Sequence, residues 1–422
     1  MRTRNTVIIV VLSCAAFLLG CAALYWFVLS VLTGQLLRRH GAETPAQLKE
    51  PRVTAGKEFL SQSKFIELGV LESVKGIGAI NDVAVIEFGS QPGFEVVIAG
   101  HAGAIDYDRN GTRQNRMLFQ FPTEKVKVGP LTSEKTLTRL GQVQVVDLEG
   151  DGISEYLARG SLDGAAVFDH QGRVLWSYGK YSKEKMSISD LTVGDLDGDH
   201  VAEFVASWHG IEVFDQSGRR KSQVQEQYSD AQIEVVDTDG DGKNEIVSCG
   251  ESLKIRDSTG RVIKSVGVPV YLGNFCLNKM PGREQPVILG VQDGSLWLID
   301  FNGKVIAQFE APLSTFYEKV RQASRTELRG TSVYKSKGIW VKLAKDQPEY
   351  LAVITEFAGI DRSVLDVYTP AGNLVYQEVL PEDCLSIAAL PLEDQGGVQE
   401  FLVGGERTVW KYHSGKSQST GQ

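Results

Sequence analysis

The chain has 422 residues, of which 42% are hydrophobic and 23% charged, a balance that is ordinary for a folded domain with a buried core. The formal net charge is −9 and no basic run exceeds three residues, which argues against a nucleic-acid-binding surface. No HExxH, Gly-x-Ser-x-Gly or glycine-rich phosphate loop is present, so the common hydrolase and nucleotide-binding motifs are excluded.

The N-terminal segment predicts a membrane anchor. No charged residue lies between Asn5 and Leu37, and Val7–Leu32 is a mainly apolar stretch of 26 residues. That length crosses a bilayer and exceeds a signal-peptide core, so we predict a single transmembrane signal anchor over 1–40. A lipoprotein-like Leu-Leu-Gly-Cys21 is also present, but the apolar run continues beyond it, which favours the anchor. Cationic residues flank both ends, so the positive-inside rule does not orient the segment.

Residues 41–62 are predicted to form a stalk between the anchor and the folded domain. The apolar segment 63–72 follows it, ahead of the first of seven repeat units. Because the last unit lacks a fourth strand, we predict that 63–72 supplies that strand and closes a ring, removing two exposed sheet edges. The domain would then extend over 63–415, followed by a polar tail, 416–422.

Three copies of one acidic nine-residue loop lie in the middle of the chain: Asp147–Glu155, Asp195–Glu203 and Asp237–Glu245. Carboxylates at positions 1, 3, 5 and 9, with a main-chain carbonyl at position 7, are the oxygen ligands that Ca²⁺ takes from a tight loop. We therefore predict about three structural Ca²⁺ ions. The predicted ligands are Asp147, Glu149, Asp151, Ile153 and Glu155; Asp195, Asp197, Asp199, Val201 and Glu203; and Asp237, Asp239, Asp241, Lys243 and Glu245.

The ninth loop position and the apolar run that follows it occur seven times, at spacings of 40 to 64 residues. These positions are Glu95, Glu155, Glu203, Glu245, Gln285, Glu349 and Glu400. A second mark follows the first six, a turn of the form Asp-x-x-Gly (Thr-x-x-Gly in the sixth unit), typical of a hairpin whose glycine has a positive φ. Two marks with one period predict an all-β fold, a seven-bladed β-propeller of four-stranded blades preceded by one transmembrane helix.

The turns between the second and third strands of each unit should share one face of the ring, opposite the calcium loops. Two long connections, about 121–140 and 313–335, should rise on that face, and long insertions on one face of a repeat ring often mark a binding surface. We interpret this face as a ligand face; the alternative is a set of solvated turns. Its candidate residues are His101, Asp163, Trp208, His209, Glu251, Asp293, Asp361 and Glu406.

Two further residue types should be structural. Cys249, Cys276 and Cys384 are expected to be buried strand cysteines, with a Cys249–Cys276 bridge left open as an alternative. Four tryptophans fall at equivalent places in strands and are expected to pack between blades: Trp176, Trp297, Trp340 and Trp410.

The acidic loop with its following strand resembles the FG-GAP repeat, also called the VCBS repeat, of integrin α-subunit propellers and many bacterial surface proteins. The similarity covers about residues 80–415 and is specific in the three central units. It implies a calcium-bearing propeller used mostly for recognition, with ligands at the loop carboxylates named above. The turn followed by Arg173-Val-Leu-Trp176 also resembles quinoprotein-type propellers.

The sequence thus predicts a membrane-anchored, calcium-binding propeller that serves as a protein- or glycan-binding scaffold, without nucleic acid as a partner. We place the propeller on the extracytoplasmic side, in a periplasm or at a cell surface, because weak calcium sites suit the calcium levels found there. One alternative is a polysaccharide lyase or hydrolase, or a quinoprotein-like oxidoreductase, although no catalytic constellation is visible. Another is an envelope-assembly scaffold that docks on membrane proteins.

Overall fold

The structure is a computed structural model that describes most of the predicted domain. The described ranges are 59–69, 80–87, 94–100, 103–113, 123–128, 131–136, 140–146, 148, 155–160, 164–169, 173–179, 190–207, 210–226, 232–249, 252–269, 275–292, 295–310, 336–357, 362–392 and 397–415. All of them belong to one compact unit, Glu50–Glu318 with Leu328–Gln422. The predicted anchor (1–40) and tail (416–422) lie outside these ranges, and within them no helix has the length and hydropathy that a membrane crossing needs.

The strands form antiparallel meanders, which we number as blades in chain order. Blade 1 contains β2 (Ile80–Glu87), β3 (Phe94–Gly100) and β4 (Gly103–Asp108). Blade 2 contains β7 (Leu140–Val146), β8 (Glu155–Gly160), β9 (Gly164–Phe168) and β10 (Val174–Gly179). Blade 3 contains β11 (Asp190–Gly194), β12 (Glu203–Ser207), β13 (Gly210–Phe214) and β14 (Arg220–Gln225). Blade 4 contains β15 (Gln232–Val236), β16 (Glu245–Cys249), β17 (Ser252–Arg256) and β18 (Val262–Gly267).

The remaining three blades follow the same plan. Blade 5 contains β19 (Phe275–Asn278), β20 (Val287–Gln292), β21 (Ser295–Ile299) and β22 (Val305–Glu310). Blade 6 contains β23 (Ser336–Val341), β24 (Tyr350–Phe357), β25 (Arg362–Tyr368) and β26 (Leu374–Val379). Blade 7 contains β27 (Cys384–Ala389), β28 (Phe401–Gly405), β29 (Thr408–Ser414) and β1 (Leu60–Glu67). The predicted all-β, seven-bladed propeller is confirmed, and six of its blades have four strands in the described ranges.

Blade 1 shows three strands in the described part of the chain. An antiparallel bridge between Tyr107 and Arg113 follows its third strand, and residues 114–122 lie outside the description. A separate two-stranded hairpin, β5 (Thr123–Val128) with β6 (Leu131–Thr136), comes next. The long connection expected at 121–140 therefore contains regular β-structure of its own.

The N-terminal strand β1 is the outer strand of the last blade, paired antiparallel with β29 from Leu60↔Ser414 to Glu67↔Thr408. The strand begins earlier than the segment 63–72 predicted from sequence, and it ends at Glu67. The polar residues Ser61 and Gln62 carry no apolar pattern, which is why the sequence places them in the predicted stalk. An outer strand needs few apolar contacts, and here buried Leu60 supplies the first of them.

The first strands of neighbouring blades lie side by side around the centre of the domain, as β27–β2–β7, β11–β15 and β19–β23 do. Polar side chains join them. The Asp190 carboxylate accepts a hydrogen bond from the Ile233 backbone N–H (2.9 Å), and Gln232 exchanges two hydrogen bonds with the backbone of Phe275. The side chain of Lys337 in blade 6 forms a 3.0 Å ion pair with a carboxylate of blade 1. The first strands thus build a polar centre, while the apolar side chains pack between blades.

Aromatic side chains fill the spaces between blades, as expected for the tryptophans. The Trp176 ring of blade 2 stacks on Phe204 of blade 3 at 4.7 Å between centroids, and Trp340 lies in the cluster between blades 5 and 6. Trp297 packs between blades 4 and 5, and Trp410 between blades 6 and 7. The sheets therefore share their cores with their neighbours.

All three strand cysteines are free thiols. Cys249 and Cys384 are buried, and Cys276 is partly so, which agrees with the structural role expected of them. The alternative Cys249–Cys276 bridge is not formed. Burial raises the pKa of Cys276 to about 11, so this thiol is protonated and unreactive at neutral pH.

The Asp-x-x-Gly turns form as predicted, and their hydrogen bonds repeat from blade to blade. In blade 1 the Asp108 carboxylate accepts from the backbone N–H groups of Asn110 (2.9 Å) and Thr112 (2.8 Å). The glycine adopts a positive φ, for example +77° at Gly111 and +78° at Gly303. A hydrogen bond from the Ser217 hydroxyl lowers the pKa of Asp215 in the blade 3 turn, so that turn stays ionised and closed at neutral pH.

The turn glycine of one blade lies against the preceding blade. A Cβ on the blade 4 turn glycine would lie 2.9 Å from the Ile211 Cγ2 of blade 3. A Cβ on Gly303 of blade 5 would lie 2.6 Å from the Val266 Cγ1 of blade 4 and 2.7 Å from the Gly267 carbonyl oxygen. The same relation holds between Gly111 and the backbone of Phe65 in β1 (2.8 Å). Glycine is therefore required for two reasons, the positive φ of the turn and the close approach of the preceding blade.

Two glycines of blade 5 allow the cost of the positive φ to be measured separately from the cost of crowding the preceding blade. Gly282 has a φ of +76° with nothing within 4 Å of an added Cβ, whereas Gly303 has nearly the same φ and contacts blade 4. We expect Gly282→Ala to lower the free energy of unfolding by about 1–2 kcal/mol, the cost of a left-handed non-glycine residue. Gly303→Ala should lower it by about 1–3 kcal/mol more, because the methyl group overpacks the blade interface. Urea unfolding of both variants measures the difference, and equal midpoints would contradict the interface role.

Candidate functional site

The acidic loops connect the first and second strands of blades 2, 3 and 4. We call them the blade-2 loop (Asp147–Glu155), the blade-3 loop (Asp195–Glu203) and the blade-4 loop (Asp237–Glu245). In blades 3 and 4 the strands pair up to Gly194↔Glu203 and Val236↔Glu245, so the loop hairpin ends on the ninth residue. The ninth position is thus the first residue of the second strand, as the sequence predicted.

The blade-3 loop brings three of its predicted ligands together. Asp195, Asp197 and Asp199 each place one carboxylate oxygen within 4.8 Å of the others. Backbone N–H groups orient them: Asp195 accepts from Gly198 (2.7 Å) and His200 (2.8 Å). A carboxylate has about four acceptor directions, so these bonds leave room for a cation. The three carboxylates therefore lie close enough together to be candidate ligands of a single metal ion.

The blade-3 loop also carries a cation of its own. Lys221, on outer strand β14, places its ammonium group 3.1 Å from Asp197 and 2.8 Å from the buried carboxylate of Glu203. The hydrogen bond to Glu203 raises the pKa of Lys221, and the hydrogen bond from Lys221 lowers the pKa of Asp197. The ninth-position ligand of this loop is thus already neutralised by an ammonium group. Lys221 belongs to the basic run Arg219–Lys221, and nothing in the sequence alone connects that run with the loop.

Backbone strain further distinguishes the blade-3 loop. His200 occupies the sixth position with a φ of +67°, the one positive φ of a non-glycine residue in the described ranges. The blade-4 loop has Gly242 at this place, with a φ of +87°. Holding a non-glycine residue in the left-handed region costs roughly 1–2 kcal/mol. The blade-3 loop is accordingly the less favourable of the two to hold closed.

The blade-4 loop gathers a different subset of carboxylates. Asp237, Asp239 and Glu245 place oxygens within 4.8 Å of one another, whereas Asp241 accepts a 2.8 Å bond from the Lys243 backbone N–H. Asp237 accepts from two glycine N–H groups of its own loop, at 2.6 and 3.0 Å. No ammonium group is bonded to these three carboxylates in the described ranges, so this loop presents the less compensated cluster.

The ninth-position glutamate has a structural role that the sequence analysis missed. In all three loops one of its carboxylate oxygens accepts a 2.9 Å hydrogen bond from the backbone N–H of the second loop residue. The pairs are Leu148 with Glu155, Leu196 with Glu203, and Thr238 with Glu245. These glutamates are largely buried. The glutamate thus closes the hairpin with one oxygen, and its remaining acceptor directions are open to other partners.

Neighbouring loops are joined directly. The Asn244 side-chain amide of the blade-4 loop donates a 2.7 Å hydrogen bond to the Asp195 carbonyl oxygen of the blade-3 loop. The Lys243 stem also passes close to Gly198. An ion that tightened one loop would therefore act on the contact between two blades.

Several predicted site residues lie outside the described ranges. In the blade-2 loop these are Asp147, Glu149, Asp151 and Ile153, so only Glu155 is placed. Val201 and Lys243, predicted to offer carbonyl oxygens, are described through their N–H groups, which bond to Asp199 and Asp241. Of the ligand face, the residues outside are His101, Asp163, Trp208, His209, Glu251, Asp293 and Asp361.

The remaining ligand-face candidate, Glu406, belongs to a turn with a structural role. Its carbonyl oxygen accepts a 2.7 Å bond from the Ile80 N–H, where the chain enters blade 1. The next residue, Arg407, accepts a 2.9 Å bond from Leu68 at the end of β1. The Glu382 carboxylate holds the same turn through the N–H of Arg407 at 2.8 Å. The turn therefore ties the closing strand to the first blade, and its role as a ligand surface stays a prediction.

Comparison with known proteins gives information about the fold of the chain. No protein-family model matches the chain, and neither does any curated protein sequence. Among solved structures, BBS1N, crystallised in complex with ARL6DN, shares 10% identity at a TM-score of 0.50, over 85% of this chain and 97% of that one. The Pan2 WD40 domain of Neurospora crassa shares 11% at a TM-score of 0.50, over 86% and 97%. BamB from Moraxella catarrhalis shares 12% at a TM-score of 0.42, over 81% and 84%.

These similarities and the strand pairing together define the class of the protein, a seven-bladed β-propeller. At such low identity the similarity carries the fold alone.

Removing the internal cation should reveal the metal affinity of the blade-3 loop. In a chain whose blade-4 loop is disabled by Asp239→Asn, we expect Lys221→Met to raise Ca²⁺ affinity about 5- to 10-fold, because a competing charge leaves the carboxylates. Without Ca²⁺ the same variant should be less stable, since buried Glu203 loses its counter-charge. Isothermal titration calorimetry measures the affinity, with Lys264→Met on outer strand β18 as the control. Unchanged affinity in Lys221→Met would show that the ammonium does not compete for the site.

Proposed function

We propose that the protein is a membrane-anchored, extracytoplasmic scaffold propeller of the FG-GAP type that binds a protein partner and is stabilised by Ca²⁺. The observation that carries the proposal is the joined pair of acidic loops in blades 3 and 4, with carboxylates clustered on a closed ring. BBS1N, whose structure is similar to this one, was crystallised in complex with another protein, ARL6DN. The apolar segment 7–32 supports the anchor.

Calcium would act here through stability. The residues that would hold it are the carboxylates of Asp195, Asp197 and Asp199 in one loop, and of Asp237, Asp239 and Glu245 in the next. A divalent ion would relieve the repulsion of three close carboxylates, which supplies what a small loop lacks in apolar core. The loops join the first strand of a blade to its second, at the opposite end from the turns between the second and third strands. Loss of an ion would therefore weaken the blades before it altered a ligand surface at those turns.

We expect Ca²⁺ to stabilise the folded chain by about 2.7 kcal/mol for each site at a hundredfold excess over Kd. Asp239→Asn should remove the contribution of the blade-4 loop, which we expect to be the largest because this loop has no internal cation to compete with the ion. Thermal unfolding in Ca²⁺ and in chelator measures it. Asp346→Asn, an exposed acid in the equivalent connection of blade 6, is the control and should keep the full calcium response. An identical midpoint in Ca²⁺ and chelator for the unaltered chain would refute calcium binding.

Partner binding is tested by capture from a membrane extract with the full chain, in Ca²⁺ and in chelator, after mild crosslinking. One protein recovered in stoichiometric amount supports the scaffold proposal, and the same partner in both conditions would confine calcium to stability. Protease added to intact cells with a permeable envelope should degrade the propeller. A protected propeller, or recovery of glycan without protein, would contradict the proposal as stated.

A further inference from the structure

Blade 5 carries the same kind of loop with its charge reversed. The pair Asn278↔Val287 leaves eight residues between β19 and β20, the number that separates the paired strand ends in blades 3 and 4. Lys279 and Arg283 therefore occupy the first and fifth loop positions, where the other loops have aspartates. This pairing also corrects the sequence register, because Val287 and not Gln285 takes the ninth position. Pro286 precedes it, and its missing N–H shifts the start of the strand.

The backbone of this loop keeps the conformation of the acidic loops. Its fourth position, Gly282, has a φ of +76°, and the corresponding Gly198 and Gly240 have φ values of +81° and +85°. The Arg283 N–H closes a turn onto the Met280 carbonyl oxygen at 3.2 Å. Positions 1 and 5 carry aspartates in the blade-3 and blade-4 loops, so the same scaffold presents cationic groups in blade 5.

A cavity of about 400 Å³ lies against this loop. Its wall comprises Lys279, Met280 and Arg283 of the loop, with Ile339 and Trp340 of β23 and Glu349 before β24. The volume falls within the range of small-molecule sites, and the wall combines apolar surface with a few charged groups, the usual makeup of such sites. This cavity is open to solvent and offers a ligand both apolar surface and charged groups.

The cations of the pocket are not used by the fold. Lys279 and Arg283 are exposed, and no ion pair within 4.0 Å joins either to a carboxylate in the described ranges. Glu349 is half-buried and has no such partner there either. The pocket therefore presents two positive charges and one negative charge, with its cations available to a ligand.

Trp340 indicates what the occupant must offer. Its ring is buried, with 8% of its surface exposed, and its indole N–H has no hydrogen-bond acceptor in the described part of the protein. An unsatisfied buried donor is uncommon in folded proteins. That nitrogen exposes almost no surface and is out of a ligand's reach, so it is the ring itself, as part of the wall, that points to an occupant with an apolar group.

We propose that the blade-5 pocket binds a monocarboxylate attached to an apolar or aromatic group, with Lys279 and Arg283 on the carboxylate and Met280, Ile339 and Trp340 on the apolar part. Arg and Lys bind planar carboxylates through short, charge-assisted hydrogen bonds. A dianion fits less well, because Glu349 and the acidic loops nearby repel it; Gln285 lies next to Gly240 of the blade-4 loop. The carboxylate could belong to a free acid or to the C terminus of a polypeptide.

Matched ligands test the carboxylate directly. The full chain in chelator is titrated calorimetrically with N-acetylphenylalanine and with its amide, and then with a hexapeptide ending in phenylalanine as acid and as amide. We expect each acid to bind and each amide to bind at least tenfold more weakly, because only the acids meet the cations. A hexapeptide acid that binds tenfold tighter than the small acid assigns the pocket to a chain end. Equal affinities assign it to free carboxylates.

Variants locate the site. Lys279→Gln and Arg283→Gln should each weaken acid binding about tenfold, and Glu349→Gln should tighten it a few-fold by removing a like charge. Lys304→Gln, an exposed lysine in the turn between β21 and β22, controls for loss of overall charge and should change nothing. All four residues lie at least partly in solvent, and unfolding midpoints check that each variant folds. No binding of either acid at millimolar concentration, equal binding of acid and amide, or equal losses in Lys304→Gln and Arg283→Gln would overturn the proposal. Chelator keeps this result separate from the calcium proposal.

Discussion

The close approach of each turn glycine to the preceding blade is the constraint on which the ring depends. Gly303 lies where a Cβ would meet Val266 and Gly267, and Gly218 lies directly on the indole ring of Trp176. At these positions the left-handed φ and the lack of a side chain are both needed. The turn thus fixes the end of one blade and the spacing to the next. Since the described turns of blades 1, 3, 4, 5 and 6 repeat it, the inter-blade clusters of buried aromatic and aliphatic side chains follow from this contact.

The sequence predicted the blades well where a turn or a loop has one chemical solution. Asp-x-x-Gly requires a hydrogen-bonded turn, and an acidic nine-residue loop before an apolar run requires a hairpin, so both formed at the expected places. Prediction failed where the position of a strand depends on residues that are distant in the sequence or on more than one neighbouring residue. Polar Ser61–Ser63 joins β1 because β29 offers an unpaired edge, a long-range fact invisible along the chain. In blade 5 the strand starts at Val287, after Pro286, and not at Gln285. The spacing of the repeats did not predict this shift.

The same distinction applies to the candidate metal loops. Sequence spacing identified the carboxylates, but it predicted every one of them to be equally available as a metal ligand. The structure separates them, because one oxygen of the ninth-position glutamate holds the hairpin, while Lys221 reaches the blade-3 loop from another strand. Contacts such as the last depend on which strands become neighbours. A repeat pattern therefore predicts where a site lies better than how strongly its residues are already engaged.

The blade-5 loop indicates what holds this loop conformation in place. It has neither aspartate nor glutamate at positions 1, 3, 5 and 9, yet it has the length of the acidic loops and a left-handed glycine at the same position. The strand pairing and the backbone turn are therefore sufficient to shape the loop, and a bound ion would add stability to a conformation that already exists. Because shape and charge are separable in this way, adjacent blades on one ring can carry loops that suit a cation and loops that suit an anion.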